Sequence, residues 1–339
     1  MITNLPTTMR VLELQDYENW RTALKVVEKP MPQPGPNQVL VRMAASPINP
    51  SDLGFLQGRY GVRKPLPIVP GWEGSGTVVA VGSGLLARYL LGRRVACGTS
   101  NDHDGAWAEY MLTSASRCFP LRSHVTNEQG AMMIINPLTA WALMSLTRRG
   151  GHRAVVQTGA ASALGRMLLR LGQRFNIPMV HVVRRQEQVD LLRSLGAEHV
   201  LSTHEADFDD QLRDVCHRLN VTQALDAVAG EMTGRLLRAM PRNARVTVYG
   251  SLAGKGCEIS PRNLIFQKQQ INGFWLVDWL PRLGPLKLLY IGWQVQGLLA
   301  NELKTDVQAR LPLEEAARGL EMYESGMTQG KVLFLPEID

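Results

Sequence analysis

Two adjacent arginines, Arg184 and Arg185, close a short apolar run from Met179 to Val183, and Arg184 stands nineteen residues after Gly165, the last residue of a small-residue stretch, Gly159 to Gly165. Neighbouring guanidinium groups offer paired donors in a geometry that suits a phosphate. In a strand–turn–helix–strand unit, the residue at that distance meets the adenosine ribose, and a carboxylate there suits a free 2′-hydroxyl whereas arginines suit a 2′-phosphate. The cofactor expected from this spacing is NADPH. The amides of Ser162, Ala163 and Leu164 are expected at the pyrophosphate, because a helix opening there points N–H groups at an anion. The loop departs from Gly-x-Gly-x-x-Gly: Gly165 alone holds the glycine pattern unambiguously and Ser162 fills the middle position. The alternative is an ordinary βαβ unit with a solvated basic strand end.

The elements that must carry this pocket alternate regularly. Strands over 154–157, 179–183, 199–201, 224–228 and 245–249 are interleaved with helices over 163–174, 186–195, 207–219 and 231–240, which predicts a doubly wound parallel sheet. Gly250 and Ser251 follow the strand 245–249, so the carboxyl end of that strand places them at the nicotinamide ribose. Before this stretch the pattern differs. From Met9 to about Pro120 short strands punctuated by Gly and Pro, such as Val39 to Met43, Gly76 to Val81 and Arg94 to Cys97, predict a β-rich domain. Helices are predicted over Thr126 to Met133, opening with Thr126 and Glu128, and over Leu138 to Thr147. The C-terminal helix Leu313 to Tyr323 and strand Lys331 to Leu335 return to the β-rich character. The expected division is 1–125, completed by 304–339, for the β domain and 126–303 for the nucleotide domain.

Composition narrows the class. A chain of 339 residues with 45% hydrophobic and 20% charged content has room for two cores. The formal charge of +7 favours an anionic ligand, but it is spread along the chain, which argues against nucleic acid. Cys97, Cys118, Cys216 and Cys257 form no C-x-x-C pair, so they read as buried reduced thiols without a disulfide framework. The first residues lack an apolar signal core and no long apolar run follows, so a soluble cytoplasmic protein with no membrane partner is expected.

The order of motifs resembles the medium-chain dehydrogenase/reductase superfamily over nearly the whole length. Within it, Ser46 to Gly61 (SPINPSDLGFLQGRYG), Pro70 to Gly76 (PGWEGSG), Gly105 to Tyr110 (GAWAEY), Ile135 to Trp141 (INPLTAW), the strand ending in Arg184-Arg185 and Gly273 to Leu276 (GFWL) are most similar to the 2-enoyl thioester reductases, with quinone oxidoreductases close behind. The resemblance implies an α/β protein with a GroES-like β domain and a Rossmann domain built on the parallel sheet. Where zinc-dependent relatives present Cys, His and Cys, this chain carries Asn49, Trp72 and Asn136, so no metal is expected. Without that Lewis acid, reduction of an already activated double bond or quinone is expected rather than alcohol oxidation.

Hydride addition to an α,β-unsaturated thioester puts negative charge on an enolate and then requires a proton at the α carbon, so the site needs a neutral acid and hydrogen-bond donors. Resemblance points to Tyr60, in Gln57-Gly58-Arg59-Tyr60, as that acid, with Arg59, Arg63 and Lys64 nearby to ease proton loss; the alternative is a loop tyrosine packed on the β domain. Asn49 and Asn136, each followed by proline, are candidates to hydrogen-bond the nicotinamide carboxamide or the substrate carbonyl, or else form turns. Resemblance also places Thr139 near the nicotinamide, Phe274, Trp275 and Leu276 beside the cofactor, and Lys331 near the phosphates. Glu73, retained from the Gly-x-Glu-Gly motif, is expected to order its loop. The expected partners are an acyl-thioester or other small-molecule substrate and, by resemblance, a second copy of the chain joined through an edge near Ile271 to Val277. A quinone or enone reductase is the runner-up, and a non-catalytic NADPH-sensing protein the third reading.

Overall fold

The computed structural model describes residues 5–99 and 103–336. It divides into two compact units, residues 1–137 with 289–299 and 304–339, and residues 138–288 with 300–303.

In the first unit, strands β1 (Thr8–Leu14) and β2 (Leu24–Pro30) form an antiparallel pair. Strands β3 (Gln38–Pro47), β4 (Glu73–Val81), β5 (Arg94–Gly98), β6 (Tyr110–Ser114) and β7 (Cys118–Pro120) follow along the chain. Most of β3 and β4 is buried, and their apolar residues Val39, Val41, Met43 and Val78 pack with Val95, Met111 and Cys118 into one core. A second core gathers Leu12, Leu40, Ile48, Phe55 and Trp107 with Val332 and Phe334 from the far end of the chain.

In the second unit, β8 (Val155–Thr158), β9 (Met179–Val183), β10 (His199–Ser202), β11 (Gln223–Asp226), β12 (Arg245–Val248) and β13 (Gln270–Gly273) form one all-parallel sheet in the order β10-β9-β8-β11-β12-β13. The order reverses between β8 and β11, which is where a Rossmann sheet opens its ligand crevice. Strand β9 and the helix Ala163–Arg174 have the bounds expected from sequence. That helix starts where it does because Ser162 Oγ accepts the Gly165 amide. Gly165 is required for packing: a Cβ there would lie 2.4 Å from the Ala160 carbonyl oxygen.

The remaining strands, β14 (Val307–Leu311) and β15 (Lys331–Phe334), return to the first unit and extend its sheet as β14-β15-β3-β4-β5-β7, with β6 also paired to β3. The first unit continues to Pro137, past the boundary at 125 read from sequence. The helix Asn127–Ala131 is the reason, since Ser75 Oγ on β4 donates to the Asn127 carbonyl at 2.6 Å and the Glu73 carboxylate accepts the amides of Ile134 and Ile135. Residues 289–299 join it because Gln296 bonds Arg122 and Pro120 and because Gly292 lies against the Phe119 ring. Cys97, Cys118 and Cys216 are buried free thiols as expected; Cys257 is exposed, a correction to the reading of all four as buried.

Candidate active site

Asn49 closes β3's exit into the helix Pro50–Leu56, whose first position is filled by proline, where a missing N–H costs nothing. The cap of this helix is made by Asp52, whose Oδ2 accepts the Asn49 amide at 2.7 Å, so the Asn49 side chain is free for other partners. Its Nδ2 donates to Glu73 Oε1 at 3.0 Å, and its Oδ1 accepts from Lys331 Nζ. Lys331, on β15, also donates to the Ile48 carbonyl at 2.9 Å and to the Tyr323 hydroxyl at 3.2 Å. The second Glu73 oxygen accepts the amides of Ile134 at 2.8 Å and Ile135 at 2.9 Å, which orders the segment leading into Asn136. Asp52 Oδ1 takes the Trp72 amide at 3.1 Å.

Asn49, Asp52, Glu73, Tyr323 and Lys331 are all buried. Burial pushes the Asp52 and Glu73 carboxyls up, opposed by backbone hydrogen bonds and by the Lys331 charge. Burial pushes the Lys331 ammonium down, and the charges of Glu73 and Asp52 oppose that shift. The resemblance placed Lys331 at the cofactor phosphates. The structure gives its ammonium three oxygens within the first unit instead, because a fully buried cation must find acceptors at hand.

Trp72 precedes Glu73 and packs its ring 5.2 Å from Phe55 and 5.2 Å from Tyr60. Tyr60 is half-buried, and its backbone is set by the Gly54 carbonyl. Lys64 Nζ lies 5.2 Å from the Trp72 ring and donates to the His103 carbonyl, while the Arg63 guanidinium lies over Tyr17 at 4.9 Å. Among the described residues, Ser51 Oγ and Trp72 Nε1 find no hydrogen-bond partner, and both are shielded from solvent. Asn136 is buried and opens the helix Asn136–Arg149, on which Thr139, also buried, falls one turn further.

In the second unit, Ala163 and Leu164 are the first residues of their helix, so their amides have no acceptor within it. The Ser162 amide is bonded to the Gly159 carbonyl, so this residue contributes as a cap. Arg184 and Arg185 end β9 with exposed side chains, while Gln188 Oε1 accepts both backbone amides and Ser202 Oγ donates to the Arg184 carbonyl. Gly250 and Ser251 follow β12, and a Cβ on Gly250 would meet the Ala227 carbonyl oxygen at 2.8 Å. Phe274 bonds through its amide to the Val248 carbonyl, and Trp275 and Leu276 begin the next helix, all three half-buried. Free helix-opening amides and exposed guanidinium groups at the carboxyl edge of the sheet fit a phosphorylated dinucleotide.

Residues 35–123 match the alcohol dehydrogenase GroES-like domain family, and residues 163–283 match the zinc-binding dehydrogenase family. The chain is 30% identical over 262 residues to a mitochondrial enoyl-[acyl-carrier-protein] reductase of Xenopus tropicalis, spanning 73% of this chain and 71% of the relative. It is 29% identical over 265 residues to the corresponding Caenorhabditis elegans protein, spanning 76% and 74%. A crystal structure assigned as an NADPH:quinone reductase of Mesorhizobium loti superposes with a TM-score of 0.91 at 34% identity, covering 98% of this chain and 100% of that one. The chain belongs to the medium-chain dehydrogenase/reductase superfamily and is an oxidoreductase of that group. One matched family is named for zinc, and the residues here do not fit that ion. Asn49 already has its carbonyl on an ammonium, Trp72 presents an indole with no lone pair to give, and no group of three His, Cys, Asp or Glu able to hold a metal occurs among the described residues.

No helix among the described residues is long and apolar enough to cross a membrane. The buried network of Asp52, Asn49, Glu73, Tyr323 and Lys331 was not foreseen as a unit. Its one sequence signal was a Glu73 kept beside positions that had lost their zinc ligands.

Proposed function

We propose that this chain reduces the C=C bond of an α,β-unsaturated acyl thioester, carried by coenzyme A or acyl carrier protein, at the expense of NADPH. The similarity to enoyl-[acyl-carrier-protein] reductases over about three quarters of the chain carries this reading, joined to a donor set unsuited to zinc. Bound NADPH would supply the hydride for the β carbon. The protein's own residues then do the rest. Ala163 and Leu164 amides receive the pyrophosphate, with Ser162 holding the helix start, and Arg184 and Arg185 receive the 2′-phosphate. Gly250, Ser251, Thr139, Phe274, Trp275 and Leu276 line the nicotinamide end. Tyr60, held against the Trp72 ring, is the neutral acid that protonates the α carbon, and Asn49 and Asn136 steady the enolate oxygen.

The test is steady-state turnover with NADPH. trans-2-Enoyl thioesters are expected to outperform 1,4-benzoquinones greatly, and Tyr60→Phe is expected to slow thioester reduction about tenfold or more while NADPH affinity holds. Preference for the quinone would overturn the reading in favour of a quinone or enone reductase, which the 34% identity to the Mesorhizobium loti structure favours. We also propose a homodimer. It is supported by β13, which has β12 on one side and is the last strand of its sheet, so its other edge is open to a second copy. Sedimentation of the purified chain as a monomer would refute that part.

A further inference from the structure

The Asn49 amide is held at both ends by buried charges of opposite sign. Lys331 Nζ donates to its oxygen and Glu73 accepts from its nitrogen. An ammonium has no lone pair and an ionised carboxylate no hydrogen, so the flipped amide would set donor against donor and acceptor against acceptor. The orientation is therefore forced rather than chosen. One Nδ2 hydrogen is spent on Glu73, and the second is the only hydrogen this side chain has left to give. Ser51 Oγ, two residues further on, and Trp72 Nε1, one residue before Glu73, are shielded polar groups with no partner among the described residues, and the indole nitrogen can only donate. The locked amide keeps one hydrogen unspent, and the residues next to its partners, Ser51 and Trp72, carry polar groups without a partner among the described residues, so an acceptor oxygen is what this segment can still take.

We propose that Lys331 is a positioning residue, which acts through Asn49 by fixing that side chain as a hydrogen-bond donor and so commits the site to an acceptor oxygen, the carbonyl of the activated alkene. The inference rests on the proposed reduction of a polarised alkene, and it separates Lys331 from the phosphate contact that family resemblance assigned to it. A carbonyl oxygen gains negative charge as hydride arrives, so a donor held in place by two neighbours is worth most at that moment, when none of its orientation has to be found.

The experiment compares wild type with Lys331→Met on a trans-2-enoyl thioester and on 1,4-benzoquinone, and measures NADPH affinity directly by fluorescence titration. A wild type inert toward both alkene classes would defeat the proposed function itself. With an active wild type, Lys331→Met is expected to lose about tenfold to a hundredfold in kcat on the better substrate while the NADPH Kd stays within about twofold. Unchanged kcat, or a weakened NADPH Kd with kcat preserved, would overturn the inference. Because the single variant leaves two buried carboxylates without their cation, Lys331→Met with Glu73→Gln keeps the charge balance. The glutamine keeps its oxygen toward the Ile134 and Ile135 amides and turns its NH2 to Asn49, which then flips. This double variant is expected to fold, judged by its circular dichroism and Tm, yet remain slow. Recovery of wild-type turnover would show that only charge balance mattered, and would refute the positioning role.

Discussion

The two units bury carboxylates in opposite ways. In the second, Asp226 at the end of β11 is held by neutral donors. Its Oδ1 accepts Thr158 Oγ1 at 2.7 Å and the amides of Val228 and Ala229, and its Oδ2 accepts Thr233 Oγ1 at 2.7 Å. In the first, the Lys331 ammonium and the Glu73 carboxylate hold opposite ends of the Asn49 side chain, Asp52 accepts that residue's backbone amide, and both carboxylates feel the ammonium's charge. Neutral donors satisfy a charge and fix a turn; a buried cation adds the power to orient a third group. The difference teaches which unit buries charge against charge and which holds a buried carboxylate with neutral donors alone.

The contrast is sharpest at Lys331. Removing one member of a buried charged set strands the others, so Lys331→Met is expected to cost about 3–5 kcal/mol, read from urea unfolding of the intact chain. A loss below about 1 kcal/mol would place the two units on the same footing.

The second unit carries its own pH-sensitive group. His181, on β9, accepts from Gln157 Nε2 at 2.8 Å on Nδ1, and burial, with a smaller push from His199, drives it down to about 4. Its folded pKa lies below the ordinary value of 6.5, so the unfolded chain takes up the proton first. Stability from this residue is present above about pH 6.5 and drains away as pH falls toward 4, by about 3 kcal/mol at most. Urea midpoints across that range, with His181→Leu expected to flatten the acid slope, check it.

The exposed pair at the sheet edge should matter for recognition and little for folding. Replacing Arg184 and Arg185 by alanine is expected to weaken NADPH binding about tenfold or more, leave NADH binding nearly unchanged and leave Tm within a degree or two. Titration with both dinucleotides decides it. The smallest effect lies in the first unit. Thr126 and Gln129 cap the helix Asn127–Ala131 reciprocally, at 3.1 and 3.0 Å, and Thr126→Ala is expected to cost about 1 kcal/mol in urea unfolding.

Much of the nucleotide unit was legible from sequence because its signals are local. The helix Ala163–Arg174 announces itself by a serine cap and an apolar stripe, and β9 by five buried residues in a row. Strand β14 has no counterpart in the sequence reading, and β13 only the edge expected near Ile271 to Val277. Gln270–Gly273 is polar and mostly exposed, and Val307–Leu311 is mostly half-buried, so neither shows a clean apolar alternation, and each is defined by the neighbour it pairs with. The Asn49 network was harder still. Glu73 lies 24 residues from Asn49 and Lys331 lies 282 away, and no window of sequence joins them. Resemblance gave Lys331 a contact with the cofactor phosphates, whereas its ammonium meets Ile48, Asn49 and Tyr323.

That sequence distance has a consequence for how the protein comes to life. Strand β15 pairs with β3, and Lys331 follows Asn49 by 282 residues, so a ribosome must have passed Lys331 before the ammonium can reach the Asn49 amide. The buried network should accordingly form in one step when that strand docks, with shorter translation intermediates able to build the parallel sheet of the second unit yet lacking the ammonium beside Asn49.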